Sequence, residues 1–79
     1  MPDREIPAEI VVDARGHRCP VPTLRLRRAL DGAPAGAQVR LLADDPLARI
    51  DVPHFAAGAG LTLLEQAETA GVFSFLVAK

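Results

Sequence analysis

Hydrophobic and polar positions alternate in four short stretches of the chain and recur at helical spacing in two others. The first stretch, Glu9-Ile10-Val11-Val12-Asp13-Ala14, is β-branched and puts Ile10, Val12 and Ala14 on one side, which predicts a strand. Arg15-Gly16-His17-Arg18 reads as a loop, with Gly16 permitting a turn. A helix is expected to begin at Cys19-Pro20, because proline suits the first helical position, where its missing N–H would be unpaired anyway. That places Cys19 at the N-cap. The apolar stripe of this helix is Pro22, Leu26, Ala29, Leu30 and Ala33, and the breakers in Asp31-Gly32-Ala33-Pro34-Ala35-Gly36 end it.

Gln38 to Ala43 alternates again, with Val39, Leu41 and Ala43 inward. A second helix is expected over Val52 to Ala59, with Asp51 as its cap and Pro53 in its first turn. Leu47 to Ile50 reads as a separate short turn. Leu61 to Ala67 and Val72 to Val77 read as strands joined by a four-residue loop, Glu68-Thr69-Ala70-Gly71, with Phe73, Phe75 and Val77 on one side. The βαβαββ order predicts an α/β (α+β) fold in one domain. It is a two-layer sandwich with a four-stranded mixed sheet and, through right-handed crossovers, both helices on one face. Residues 1–8 are expected to form a flexible N-terminal segment ahead of a domain spanning 9–79.

Length and charge narrow the chemistry. A chain of 79 residues buries only about 60% of its unfolded surface, which leaves no room for an internal cavity, so any chemistry belongs at the surface. Net charge is −1, which argues against general nucleic-acid binding. Yet Arg15, Arg18, Arg25, Arg27 and Arg28 fall in one stretch without an acid, so a local positive field surrounds that segment. The single cysteine excludes an internal disulfide, a CxxC redox pair and a structural zinc site; no metal or other cofactor is expected. No apolar run approaches the ~20 residues that span a bilayer. The N-terminus lacks a basic segment followed by an apolar one, so a cytoplasmic location, with the thiol kept reduced, is the expectation.

The informative stretch is Gly16-His17-Arg18-Cys19-Pro20-Val21-Pro22. A thiol at a helix N-terminus meets the positive end of the macrodipole and unpaired N–H groups, which favour thiolate. Cysteines so placed titrate at roughly 3.5–7.5. Arg18 and Arg15 are expected to add to this, while Pro20 and Pro22 stiffen the backbone around the thiol. No second cysteine can resolve a disulfide, and Ser74 lies in the last strand, a poor nucleophile. A thiolate without a pocket can still take a sulfur atom from a donor persulfide and yield it to another thiol, positioned by the partner protein. The alternative is that Cys19 is a small buried hydrophobe.

Gly-x-x-Cys-Pro-x-Pro before an amphipathic helix, then Asp-Asp-Pro, Asp-Val-Pro-x-Phe and a Phe-x-Phe final strand, resembles the TusA/SirA/YedF family of small sulfur carriers from about Val11 to Lys79. The resemblance implies a sulfurtransferase whose covalent persulfide is on Cys19, with Pro20 and Pro22 as motif prolines. It implies a cysteine desulfurase or rhodanese-like donor, and an acceptor in tRNA thiolation, molybdenum cofactor maturation or sulfur oxidation. His17 stands where leucine is frequent, and Val21 where the tRNA-thiolation branch often has glutamate, which leaves the acceptor open.

Val21, Leu24, Arg25 and Arg28 share a helical face opposite the buried stripe, and apolar residues beside arginine next to the cysteine suggest a partner-docking patch. A solvated basic face is the plainer reading. His17 and His54 read as surface residues, and Asp44, Asp45 and Asp51 as turn and cap residues. A monomer is expected, since a presented cysteine works best unblocked. A competing function is a non-catalytic regulatory or interaction module of the same fold. RNA binding has only the arginines in its favour, without aromatic stacking residues.

Overall fold

The structure is a computed structural model, and it describes residues 9–79. The expectation for residues 1–8 lies outside the described residues. The elements run β1 (Ile10–Asp13), α1 (Val21–Asp31), β2 (Gln38–Ala43), α2 (Ala48–Gly58), β3 (Thr62–Thr69) and β4 (Val72–Ala78). The strands form one mixed sheet in the order β1-β2-β4-β3. β1 pairs parallel to β2, and β4 pairs antiparallel to both β2 and β3. The expected α/β order and sheet are therefore present.

Strict alternation explains the core. Val39, Leu41 and Ala43 of β2 face Val77, Phe75 and Phe73 of β4 in register, and all are buried. Val12 and Ala14 join them from the β1 side. Leu26 and Leu30 of α1 and Ala48 and Val52 of α2 pack into that same cluster, and the two helices touch. Burying a residue such as Phe75 contributes roughly 1.5–3 kcal/mol. Successive strand residues point to opposite faces, so Arg40 lies on the sheet's other side. There it binds Glu9 (2.7 Å), Glu65 (3.1 Å) and Ser74 Oγ (2.7 Å), linking β1's entry to β3 and β4.

Several boundaries differ from the sequence reading, and three of the differences have a local cause. The first helix starts at Val21, with Pro20 as its cap, so Cys19 lies one residue before the cap. The second helix starts four residues early, at Ala48, and Pro53 is inside it. Asp45 makes this possible: its Oδ1 accepts the Leu47 N–H (3.1 Å) and its C=O accepts the Ala48 N–H (2.9 Å), which nucleates the turn before Asp51. The β3–β4 connection is a two-residue turn rather than four, because Thr69 still pairs with Val72. Ala70 (φ 52°) and Gly71 (φ 81°) both adopt positive φ, as tight hairpins of right-twisted strands require. Leu64 is the extra residue of a bulge, since Leu63 pairs with Val77 and Glu65 with Leu76.

Candidate functional site around Cys19

Cys19 ends the loop that leaves β1, and the loop's path is set by two aspartates from across the sheet. Gly16 turns the chain at φ 86°, a conformation that L side chains rarely adopt. Its N–H donates to both carboxylate oxygens of Asp44, at 3.0 and 3.1 Å. The Cys19 N–H donates to Asp45 Oδ2 at 2.7 Å. Both aspartates sit in the β2–α2 turn, 26 to 28 residues further along the chain. Pro22 is fully buried beneath the first turn of α1, whereas Pro20 is exposed. The peptide bond between Cys19 and Pro20 is cis. Cys19 is half-buried, with its side chain against the edge of the core.

The electrostatics run opposite to the sequence reading. Burial and the nearby carboxylates of Asp51 in α2 and Asp45 push the Cys19 thiol up to about 11. The expected amide donors are largely missing: Val21 N–H donates to Arg18 C=O (2.9 Å), and Pro22 has no N–H. Arg15 does not serve the thiol either. It holds Asp13 through Nε (2.8 Å) and Nη2 (2.7 Å), and keeps that carboxyl at about 2. Arg18 faces Asp45 instead, where its charge joins the two amide bonds in holding the carboxyl below its ordinary range. The free protein therefore presents Cys19 as a thiol, and the reading of Arg15 and Arg18 as thiolate stabilisers is corrected.

The outward face of α1 borders a groove that Val12, Ala29 and Asp31 also line. Val21, Leu24, Arg25 and Arg28 line an open groove of about 870 Å³ with Arg27, and Val21 and Leu24 are 38% and 56% exposed. Arg25 also has a structural duty, donating to the Asp13 C=O at 3.0 Å. A smaller cleft of about 310 Å³ lies on the other side of the cysteine loop, lined by Gly16, His17, Arg18, Asp44, Asp45 and Pro46. His54 is exposed in α2, on a separate groove between the helices with Phe55 and Leu30. The sequence reading missed the reach of Asp44, Asp45 and Asp51 to the cysteine loop. Their landmark motifs were visible, but the local signals were those of turns and caps.

A family model described as sulfurtransferase TusA matches residues 10–79. The chain belongs to the TusA family. A sulfur carrier protein TusA of Pseudomonas putida is 37% identical over 71 residues, covering 90% of this chain and 89% of its own. One from Pseudomonas paraeruginosa is 33% identical over 73 residues, 92% of each chain. Among solved structures, a SirA-like protein from Desulfitobacterium hafniense superposes with a TM-score of 0.76 at 31% identity, covering 86% of this chain and 93% of that one. Among the described residues, no helix is long and apolar enough to cross a membrane.

Proposed function

We propose that this TusA-family chain is a sulfur carrier that holds sulfur as a persulfide on Cys19. The observation that carries the reading is the chain's one cysteine, half-exposed at the mouth of α1 on a loop tied down by Asp44 and Asp45. Loading is a transfer between thiols. The Cys19 sulfur attacks the outer sulfur of a donor protein's persulfide, the S–S bond to the donor breaks, and the donor leaves as its thiolate. Delivery is the same exchange in reverse, with an acceptor protein's thiolate taking the outer sulfur from Cys19.

The attacking species is the thiolate, so the Cys19 proton must leave first. That proton passes to water or to a basic group of the docked partner, since nearby Asp51 and Asp45 favour the thiol form. This gives the free carrier a quiet thiol that reacts once a partner is docked. The groove beside α1 supplies the docking face: exposed Val21 and Leu24 give contact area, and Arg25 and Arg28 select an acidic partner surface.

Incubation with a cysteine desulfurase and cysteine, followed by intact mass measurement, tests the reading. The chain should gain one sulfur atom, and Cys19→Ser should gain none. Absence of the gain under conditions that load another family member would instead favour an interaction module of the same fold.

A further inference from the structure

Asp44 and Asp45 of the β2–α2 turn both reach back 26 to 28 residues to bind backbone N–H groups of the cysteine loop, and one of them binds the reactive residue itself. Asp45 Oδ2 takes the Cys19 N–H at 2.7 Å while its Oδ1 takes the Leu47 N–H at 3.1 Å. One carboxylate thus joins the cysteine backbone to the start of α2, the helix that carries Asp51. We propose that Asp45 is a positioning residue for sulfur transfer, fixing the Cys19 backbone against the start of α2 so that the thiol is presented to a partner in one orientation.

Three features support this. A charge-assisted bond of this length is about twice as strong as a neutral one, and it falls on a loop residue that no strand or helix holds. Asp44 grips Gly16 three residues earlier, so the loop is held at both ends from the same turn. Pro20 and Pro22 cannot donate, so the Cys19 N–H is one of the few backbone handles that this segment has. The groups facing the thiol are Asp51 from α2 and Asp45 from the turn, with Arg18 of the cysteine loop facing Asp45.

The functional consequence rests on Cys19 being the sulfur-carrying residue; the geometric claim does not, and the two are measured apart. The test compares Asp45→Asn, which keeps an acceptor oxygen, with Asp45→Ala, which keeps none. In the ¹⁵N–¹H spectrum of the unmodified protein, the Cys19 amide shift should follow the Asp45 carboxyl titration below the ordinary carboxylate range. That titration should vanish in Asp45→Asn. A Cys19 amide blind to Asp45 overturns the proposal whatever the sulfur chemistry does. Sulfur uptake from a persulfidated desulfurase, read by mass, should slow about tenfold in Asp45→Ala, since close placement governs such transfers, and recover in part in Asp45→Asn, whose single acceptor oxygen can serve the Cys19 N–H but not the Leu47 N–H as well. Charge removal in Asp45→Asn should also lower the pH midpoint of Cys19 alkylation. Equal uptake by all three proteins overturns the positioning role. Should Asp45→Ala fail to fold, the amide titration and the alkylation midpoint of Asp45→Asn decide alone, and an unchanged midpoint with an insensitive amide is the refuting pair. If no protein, wild type included, takes up sulfur, the carrier reading fails and the amide experiment still judges the clamp.

Discussion

Replacing Asp51 by asparagine should make Cys19 more reactive. The thiol sits at about 11 against an ordinary 9.0, so at neutral pH its thiolate is about 100-fold scarcer than that of an unperturbed cysteine. Burial is the largest cause of that rise, followed by the nearby Asp51 carboxylate. The substitution removes the charge and leaves the burial, so only part of the rise is recovered. A negative neighbour disfavours thiolate, so its loss moves the midpoint down. The expected gain is about tenfold in alkylation rate near pH 8, roughly one unit of midpoint. The assay is the rate of iodoacetamide modification, followed by intact mass from about pH 6 to pH 11. Asp31→Asn is the control. Asp31 ends the 11-residue α1, about 16 Å along the axis from its start, and its substitution should change nothing. A wild-type midpoint below about 8, or an Asp51→Asn midpoint equal to wild type, would refute the idea that α2's carboxylate quiets the thiol.

Three further outcomes follow from the same structure. Arg28→Glu should weaken a complex with an acidic donor about tenfold while leaving uptake from a small-molecule persulfide intact; binding titrations at two salt concentrations check this, and equal affinity argues against the groove as a docking face. Phe75→Ala should remove about 3–5 kcal/mol from a domain whose total stability is roughly 4–12 kcal/mol, so calorimetry should show a transition collapsed or absent. Asp13, held at about 2 by Arg15, has a folded value below its unfolded one; its contribution is full above about pH 4 and lost as pH falls toward 2. Asp13→Asn should therefore flatten the loss of urea resistance over that window, and an unchanged acid profile would count against the pair.

Much of the fold was legible because the core-facing positions of β2 and β4 recur at every second residue. β2 has the boundaries its pattern predicts, and Phe73, Phe75 and Val77 all point into the core. The start of α2 was hidden because Leu47 and Ile50 are apolar yet 55% and 66% exposed, so they fall off the helical stripe that a core-facing pattern would show. The tight hairpin was hidden because Ala70 takes a positive φ that its residue type does not advertise.

At the site, Cys19 and the flanking prolines stood out in sequence, but the thiol's state did not. The macrodipole argument treated α1 in isolation, with Cys19 as its cap. Burial of the thiol, a one-residue shift of the helix start, a proline without an N–H, and the carboxylates of Asp51 in α2 and Asp45 before it reverse the sign. Long-range bonds such as Asp45 to the Cys19 amide leave no local pattern, because an aspartate before a proline already has a sufficient explanation as a turn residue.

The central claim is that sulfur rides on one atom. After loading with isotopically labelled sulfur from a desulfurase, the chain would be alkylated, cleaved and mapped by mass. The account predicts the label as an alkylated persulfide on the peptide containing Cys19, chased off by an acceptor thiol. Label that stays when the acceptor is added, or that is bound equally by Cys19→Ser, would contradict it.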